Sequence, residues 1–196
     1  MDKLSYSLGV SVGANLKQQG FKPEILDDFV EGLKDVLQEQ SLKISETEVN
    51  KIVTAYFKDM QEQGAKENQK AQEQFFSENL QKDGVKQTGS GLQYKLIKEG
   101  QGDPPKAEST VSVHYHGMFL DGKVFDSSVE RGKPVSFPVN GVIQGWQEAL
   151  QMMKPGGKMK LYIPSELAYG SRGAGNAIPP HTPLMFDVEL LEVEKY

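Results

Sequence analysis

Apolar residues at Leu4, Leu8, Val12 and Leu16 repeat every four positions, which predicts an amphipathic helix closed by Gly20 in a left-handed C-terminal turn. Gly9 and Gly13 lie one turn apart on the neighbouring face. Each costs a helix roughly 1 kcal/mol relative to alanine. Either the loss is simply tolerated or another helix packs closely there; two such losses on one stripe favour close packing. Pro23 suits the first turn of a second helix, with Glu24, Asp27 and Asp28 at its positive end. Ile25, Phe29 and Val36, with Leu26, Leu33 and Leu37, give that helix a broad apolar face. Ser45-x-x-Glu48 has the form of a capping box and predicts the start of a third helix.

No proline interrupts Ser45 to Asp83, and Gly64 is the one internal glycine. If helical throughout, the segment spans roughly 58 Å at about 1.5 Å per residue. Val49, Ile52, Val53, Tyr56, Phe57 and Met60 form an apolar stripe at its start, and Phe75, Phe76 and Leu80 return at its end. Between them, Gln61 to Gln74 is almost entirely polar. A polar helix of this kind either bridges two bodies as a solvated rod or frays into a linker, and the rod is the expectation.

After Gly91 the apolar spacing changes from about four to two. Leu92 to Leu96, Val111 to Tyr115, Val135 to Val139, Lys158 to Ile163 and Leu184 to Val193 read as strands, with a hairpin turn at Asp121-Gly122. Trp146 to Leu150 reads as a short helix beneath the sheet, so this part is α+β. Glycine and proline mark the change. Residues 1–83 hold 5 Gly and 1 Pro, against 15 and 9 afterwards. Domains of 1–44, 45–83 and 84–196 follow: a helical module, a long connecting helix docked in that module at its start, and the α+β domain. Three short helices make a small core, and their apolar faces predict pairing with a second copy.

Charge narrows the function. Met1 to Asp83 carries 15 acidic and 10 basic residues, and the remainder 12 of each, so the net charge of −5 lies on the helical part. There is no basic stripe for nucleic acid. No apolar run approaches the roughly 20 residues of a membrane span. The absence of cysteine removes disulfides and thiolate chemistry. The start shows no signal-peptide pattern, which predicts a cytoplasmic protein if Met1 is the native start, and a periplasmic or cell-surface one if a signal has been removed.

Candidate chemistry centres on Val142-Ile143-Gln144-Gly145-Trp146, which holds the one tryptophan. Alone, Trp146 reads as a core residue. Aromatic residues recur on strands or strand ends before and after it, and together they predict an apolar pocket with Trp146 as its floor. His114 and His116 share one face of a strand, but no third metal ligand is evident, so surface or hydrogen-bonding roles are favoured. Ser127-Ser128 lacks a neighbouring base or a glycine elbow. The glycine-rich stretch from Gly170 to Gly175 lacks the Lys-Ser/Thr of a phosphate loop.

Five segments, VHYHG, DGKVFDSS, VIQGW, LAYG and IPPHTPLMFDVELL, stand in an order and spacing that resemble the FKBP-type peptidyl-prolyl isomerases from about Gly91 to Val193. With residues 1–90 included, the chain resembles the dimeric bacterial branch related to the macrophage infectivity potentiator. The resemblance implies a curved antiparallel sheet wrapped on a short helix. It implies isomerisation of X-Pro bonds in unfolded or partly folded proteins, without metal, cofactor or covalent intermediate. It also implies a homodimer formed through the N-terminal helices, and inhibition by macrolides such as tacrolimus or rapamycin. By the same resemblance Tyr115, Phe125, Val142, Ile143, Trp146 and Phe186 line the proline pocket, and Phe137 and Ile178 complete its wall. The Ile143 N–H and the Tyr169 hydroxyl bind carbonyls. Asp126 is the polar group at the edge, although by itself it also reads as a turn residue. Asp126, Tyr169 and Phe125 are the catalytic candidates. His116 stands where human-type members often carry threonine, and Ala174 where they often carry histidine. The same pocket could serve chiefly a dimeric chaperone.

Overall fold

The computed structural model describes every residue except Gln19, Lys22, Asn176, Lys195 and Tyr196. Three helices come first: α1 (Lys3–Gln18), α2 (Leu26–Leu37) and α3 (Glu46–Asn79). The seven strands are β1 (Val85–Gln87), β2 (Gln93–Lys98), β3 (Thr110–Met118), β4 (Val124–Ser127), β5 (Val135–Pro138), β6 (Lys158–Ile163) and β7 (Leu184–Val193). Helix α4 (Gln144–Met152) lies between β5 and β6. The chain divides into two compact units between Tyr56 and Phe57, inside α3. No helix among the described residues is long and apolar enough to cross a membrane.

In the first unit α1 ends as its glycine predicts. Gly20 has φ +81°, its N–H donates to the Lys17 carbonyl at 3.0 Å, and the Phe21 N–H reaches back to Leu16 at 2.9 Å. Helix α2 ends with the same bond pattern, Glu39 N–H to Val36 and Gln40 N–H to Asp35. Its left-handed residue is Glu39, with φ +55°, so no glycine marks this end in the sequence. Helix α2 starts at Leu26 rather than at Pro23, with Asp27 and Asp28 in its first turn. The Ser45 hydroxyl caps α3 by accepting the Glu48 N–H at 3.2 Å. Phe21 stacks against Phe29 and Tyr56 at 5.5 and 5.7 Å. No residue of α1 is buried, and Leu4 and Leu8 are 69% and 60% exposed. A Cβ added at Gly9 or Gly13 would meet nothing within 4 Å.

The second unit contains the sheet, antiparallel throughout, in the order β1-β2-β6-β7-β3-β4 with β5 also on β3. Alternation places Leu184, Phe186, Val188 and Leu190 of β7 and Val111 and Val113 of β3 in the core. Helix α4 buries Trp146, Ala149 and Leu150 at helical spacing against the same core. It lies so close to β6 that a Cβ on Gly145 would stand 2.5 Å from Ile163 Cγ2. Each fully buried side chain of this kind contributes about 1.5–3 kcal/mol, so this unit has its own source of stability.

The edge of β3 opposite β7 is shared by two strands. Thr110 to Val113 pair with β5, and His116 to Met118 pair with β4. The gap falls at Tyr115, whose main-chain groups would be orphaned there. Ser128 fills it: its N–H donates to the Tyr115 carbonyl at 3.0 Å, and its hydroxyl accepts the Tyr115 N–H at 2.8 Å. Ser128 is fully buried. The hydroxyl of Ser128 lies 3.0 Å from His114 Nδ1, and that of Ser127 lies 2.9 Å from His116 Nδ1. This adjacent serine pair and both strand histidines thus make structural hydrogen bonds.

The expectation that the polar middle of α3 has nothing to dock on is corrected. Asn68, Gln69 and Gln72 hydrogen-bond to the segment Ser165–Thr182 of the same unit. Further along, Phe75 packs on Tyr162 with ring centroids 5.8 Å apart. Asn79 and Gln93 are both buried; Asn79 Nδ2 donates to Gln93 Oε1 at 2.9 Å, and Gln93 Nε2 donates to Phe76 O and Gln87 Oε1. Asn79→Ala should therefore leave Gln93 Oε1 buried without a donor. Unfolding in urea, followed by the fluorescence of the one tryptophan, should show a loss of about 1–3 kcal/mol.

Candidate active site

The two strands that share the edge of β3 diverge, and an open cavity of about 450 Å³ lies between them. Its floor is Trp146 at the start of α4, 5% exposed. Phe186 of β7 meets the indole edge-on at 5.1 Å and Tyr115 of β3 at 5.4 Å, while Phe137 of β5 lies tilted against it at 5.6 Å. Phe125 of β4 stands edge-on to Phe186 at 5.6 Å. These rings need room on β3, and Gly117 provides it. A Cβ there would lie 2.8 Å from both Phe125 and Phe186. Val142 and Ile143 line the side nearest α4. Ile143 is the N-cap of that helix, where main-chain N–H groups lack intrahelical partners.

The polar rim is built on Asp126. Its carboxylate accepts hydrogen bonds from the Tyr115 hydroxyl and from Arg131. Arg131 also donates to the Tyr115 hydroxyl at 2.9 Å, and its guanidinium lies 5.7 Å from the centre of that ring. Burial works against the Asp126 anion, but the bonds from Tyr115 and Arg131 outweigh it and hold its pKa below the usual aspartate value. The Tyr115 hydroxyl is pushed up, first by burial and then by the neighbouring carboxylate. Asp126 is thus a fixed anion with both oxygens engaged, and Tyr115 a neutral donor aimed at it. Opposite, Tyr169 lines the cavity with its side chain partly exposed, and its hydroxyl has no protein partner among the described residues.

Nine of the ten residues singled out in the sequence line this one cavity. Ile178 does not. Its main chain pairs with Ala174 in a short bridge, and its side chain is buried in the core at 4% exposure. Val135 and Gly141 line the cavity as well. Val135 shares a face of β5 with Phe137, a period-two signal already present in the strand. Arg131 leaves no such trace, since its link to Asp126 depends on the turn after β4, in which the Arg131 N–H reaches back to the Ser127 carbonyl at 3.4 Å. Among the described residues no group of three metal-ligating side chains comes together.

The family profile described as FKBP-type peptidyl-prolyl cis-trans isomerase matches residues 102–191, and the domain amino-terminal to it matches residues 1–96. The chain belongs to the FKBP-type peptidyl-prolyl cis-trans isomerase family. It is 42% identical to the FKBP-type 22 kDa peptidyl-prolyl cis-trans isomerase of Escherichia coli K12, over 96% of this chain and 93% of that one. It is 40% identical to the outer membrane protein MIP of Legionella longbeachae, over 99% and 86%. The solved structure of FkpA from Escherichia coli superposes with a TM-score of 0.77 at 39% identity, covering 98% of this chain and 95% of that one. As an FKBP-type isomerase the protein is an enzyme that acts on X-Pro peptide bonds.

The charged rim of this FKBP-type pocket gives a direct test. Because its pKa is depressed, Asp126 ionises below the unfolded value of about 3.9. It stabilises the fold above that pH, and the contribution is lost only as pH falls through the lower folded value. In Arg131→Ala one opposing hydrogen bond and one positive charge disappear while burial remains. A carbon-13 titration of the Asp126 carboxyl should move to higher pH in that variant. An unchanged midpoint would show that Arg131 does not set the ionisation.

Proposed function

We propose that this cavity is where the proline ring binds, with Trp146 beneath it and Tyr115, Phe125, Phe137, Val142, Ile143 and Phe186 around it. The observation that supports this is the aromatic enclosure with one fixed anion at its rim. Rotation about a peptide bond costs about 18–20 kcal/mol because it breaks amide resonance. The planar amide is charge-separated and the twisted one less so. A dry aromatic wall therefore disfavours the ground state relative to the transition state. Asp126 adds a negative field beside the twisting bond, already oriented and so without reorganisation cost. The Ile143 N–H and the Tyr169 hydroxyl hold the flanking carbonyls. Phe125 closes the side next to Asp126. Ile178 acts from the core behind the wall. No acid, base or nucleophile is required. The substrates are proline-containing unfolded or partly folded proteins, and macrolides such as tacrolimus or rapamycin occupy the same pocket as inhibitors. No feature of the site favours a chiefly chaperone role.

Residues 84–196 are the proposed isomerase domain, 45–83 the connecting helix and 1–44 the dimerisation module. The exposed apolar faces of α1 and α2 support the last assignment: the only buried residue of α2 is Asp35, and Gly9 and Gly13 face open space. A second copy of the chain covers them.

Tyr169→Phe should lower kcat/KM on an X-Pro peptide by about two- to tenfold, the value of one hydrogen bond to a neutral group. Asp126→Ala should cost more, because a charge is lost. Wild-type rates in both variants would remove these roles. Sedimentation at micromolar concentration should give a dimer for the full chain. Leu8→Glu, which places charge on the exposed stripe of α1, should shift it toward monomer while leaving peptide turnover per site unchanged.

A further inference from the structure

Three amide side chains on α3 grip both ends of one segment. Gln72 uses both atoms of its amide. Oε1 accepts the Ser165 N–H at 2.7 Å, and Nε2 donates to the Glu166 carboxylate at 3.0 Å. Ser165 begins a 3-10 helix, Ser165–Leu167, so Gln72 satisfies an N–H that the helix itself leaves free. One turn earlier on the same face, Asn68 Nδ2 donates to the Pro180 carbonyl at 2.9 Å and lies 3.3 Å from Thr182 Oγ1. Gln69 Nε2 lies 3.2 Å from His181 Nδ1. His181 has φ +53°, a conformation that non-glycine residues adopt at a cost, and its N–H donates to Gly170 O at 2.8 Å. Between the two grips stands Tyr169, which lines the proline cavity.

Burial opposes the Glu166 anion, but its own N–H, Gln72 and Ser165 outweigh that and hold its pKa below the usual glutamate value. The grip at this end is thus a charge-assisted one, stronger than a bond between neutral groups. The other end closes on a main-chain carbonyl. Between them the segment contributes Ile178 to the core and a second short 3-10 helix, Gly170–Arg172, right after Tyr169.

We propose that Asn68, Gln69 and Gln72 are positioning residues for the isomerase reaction. They hold the segment Ser165–Thr182 so that the Tyr169 hydroxyl faces the substrate. Helix α3 is then part of the catalytic architecture and not only a connector. The inference rests on the reading of Tyr169 as a substrate contact.

The test compares the intact protein with Asn68→Ala/Gln72→Ala, with Gln72→Glu, and with Gln72→Glu/Glu166→Gln. The first should lower kcat/KM on an X-Pro peptide about three- to tenfold, the value of one or two hydrogen bonds. It should also speed hydrogen exchange between residues 165 and 182, with the Trp146 fluorescence unfolding midpoint changed little. Gln72→Glu sets two carboxylates against each other and should behave the same way. The exchanged pair keeps an acceptor for the Ser165 N–H and a donor between the side chains, and should recover activity to within about twofold. In a Tyr169→Phe background the alanine pair should have little further effect. Exchange that stays slow, or activity that stays wild-type while exchange rises, overturns the proposal. So does a full, additive loss on top of Tyr169→Phe. A wild-type rate for Tyr169→Phe alone would instead remove the reading of Tyr169, while the exchange result still reports on the grip.

Discussion

The pocket exists because β3 cannot be bonded along one edge by a single strand. β5 takes Thr110 to Val113, β4 takes His116 to Met118, and the interval at Tyr115 is closed by Ser128 alone. Two strands that leave one edge in different directions enclose a space between them, and the side chains facing that space are those alternation places there. Phe125 and Asp126 come from β4, and Val135 and Phe137 from β5. Tyr115 comes from the gap itself, and α4 supplies the floor. Ser128 permits this split because it gives Tyr115 the two hydrogen bonds that an uninterrupted ladder would have given. A buried N–H and carbonyl left without them would cost about 1–3 kcal/mol each, and the strand would close or fray.

The same split explains why the anion at the rim is so rigid. Asp126 sits on β4 and Tyr115 on β3, and the turn after β4 returns Arg131 to both. Each side chain of the trio is held by the other two. A carboxylate held in this way, with its pKa lowered, is a poor proton shuttle at neutral pH and a good fixed dipole. That suits a reaction in which no proton moves and only the charge distribution of an amide changes.

Much of this could be read in the sequence. β6 and β7 lie where the alternation of Lys158 to Ile163 and Leu184 to Val193 predicts, because both strands have a buried face and a wetter one. The rings that line the cavity stand mostly on strands, where aromatic residues carry a strong signal. Other features leave weaker traces. β1 is three residues long and largely exposed, so it shows no alternation. Ile178, which the resemblance places in the cavity wall, turns into the core, and the short bridge to Ala174 fixes its main chain. Arg131 acts through a turn rather than through a periodic pattern. The faintest trace is on α3, where Asn68 and Gln72 dock through hydrogen bonds rather than through an apolar stripe. Partial burial along this helix recurs at Gly64, Asn68, Gln72 and Phe75 and becomes complete at Asn79, a helical period written in amides as much as in hydrocarbon. Hydropathy cannot detect it.

That substitution of amides for hydrocarbon has a physical consequence. An apolar face is stabilised by the area it buries and tolerates sliding, because the hydrophobic effect is non-directional. A hydrogen bond weakens steeply away from its geometry. Asn68, Gln72 and Asn79 therefore fix the register of α3 against the isomerase unit residue by residue, although they contribute less stability than leucines in the same places would. The first unit shows the opposite choice. Its helices present leucines and valines outward with nothing fixed against them, and α1 buries no residue at all. A face of that kind fixes no register by itself, because apolar burial is non-directional. One helix thus carries two kinds of surface in sequence: apolar residues at its start, and amides where it bonds to the segment that carries Tyr169.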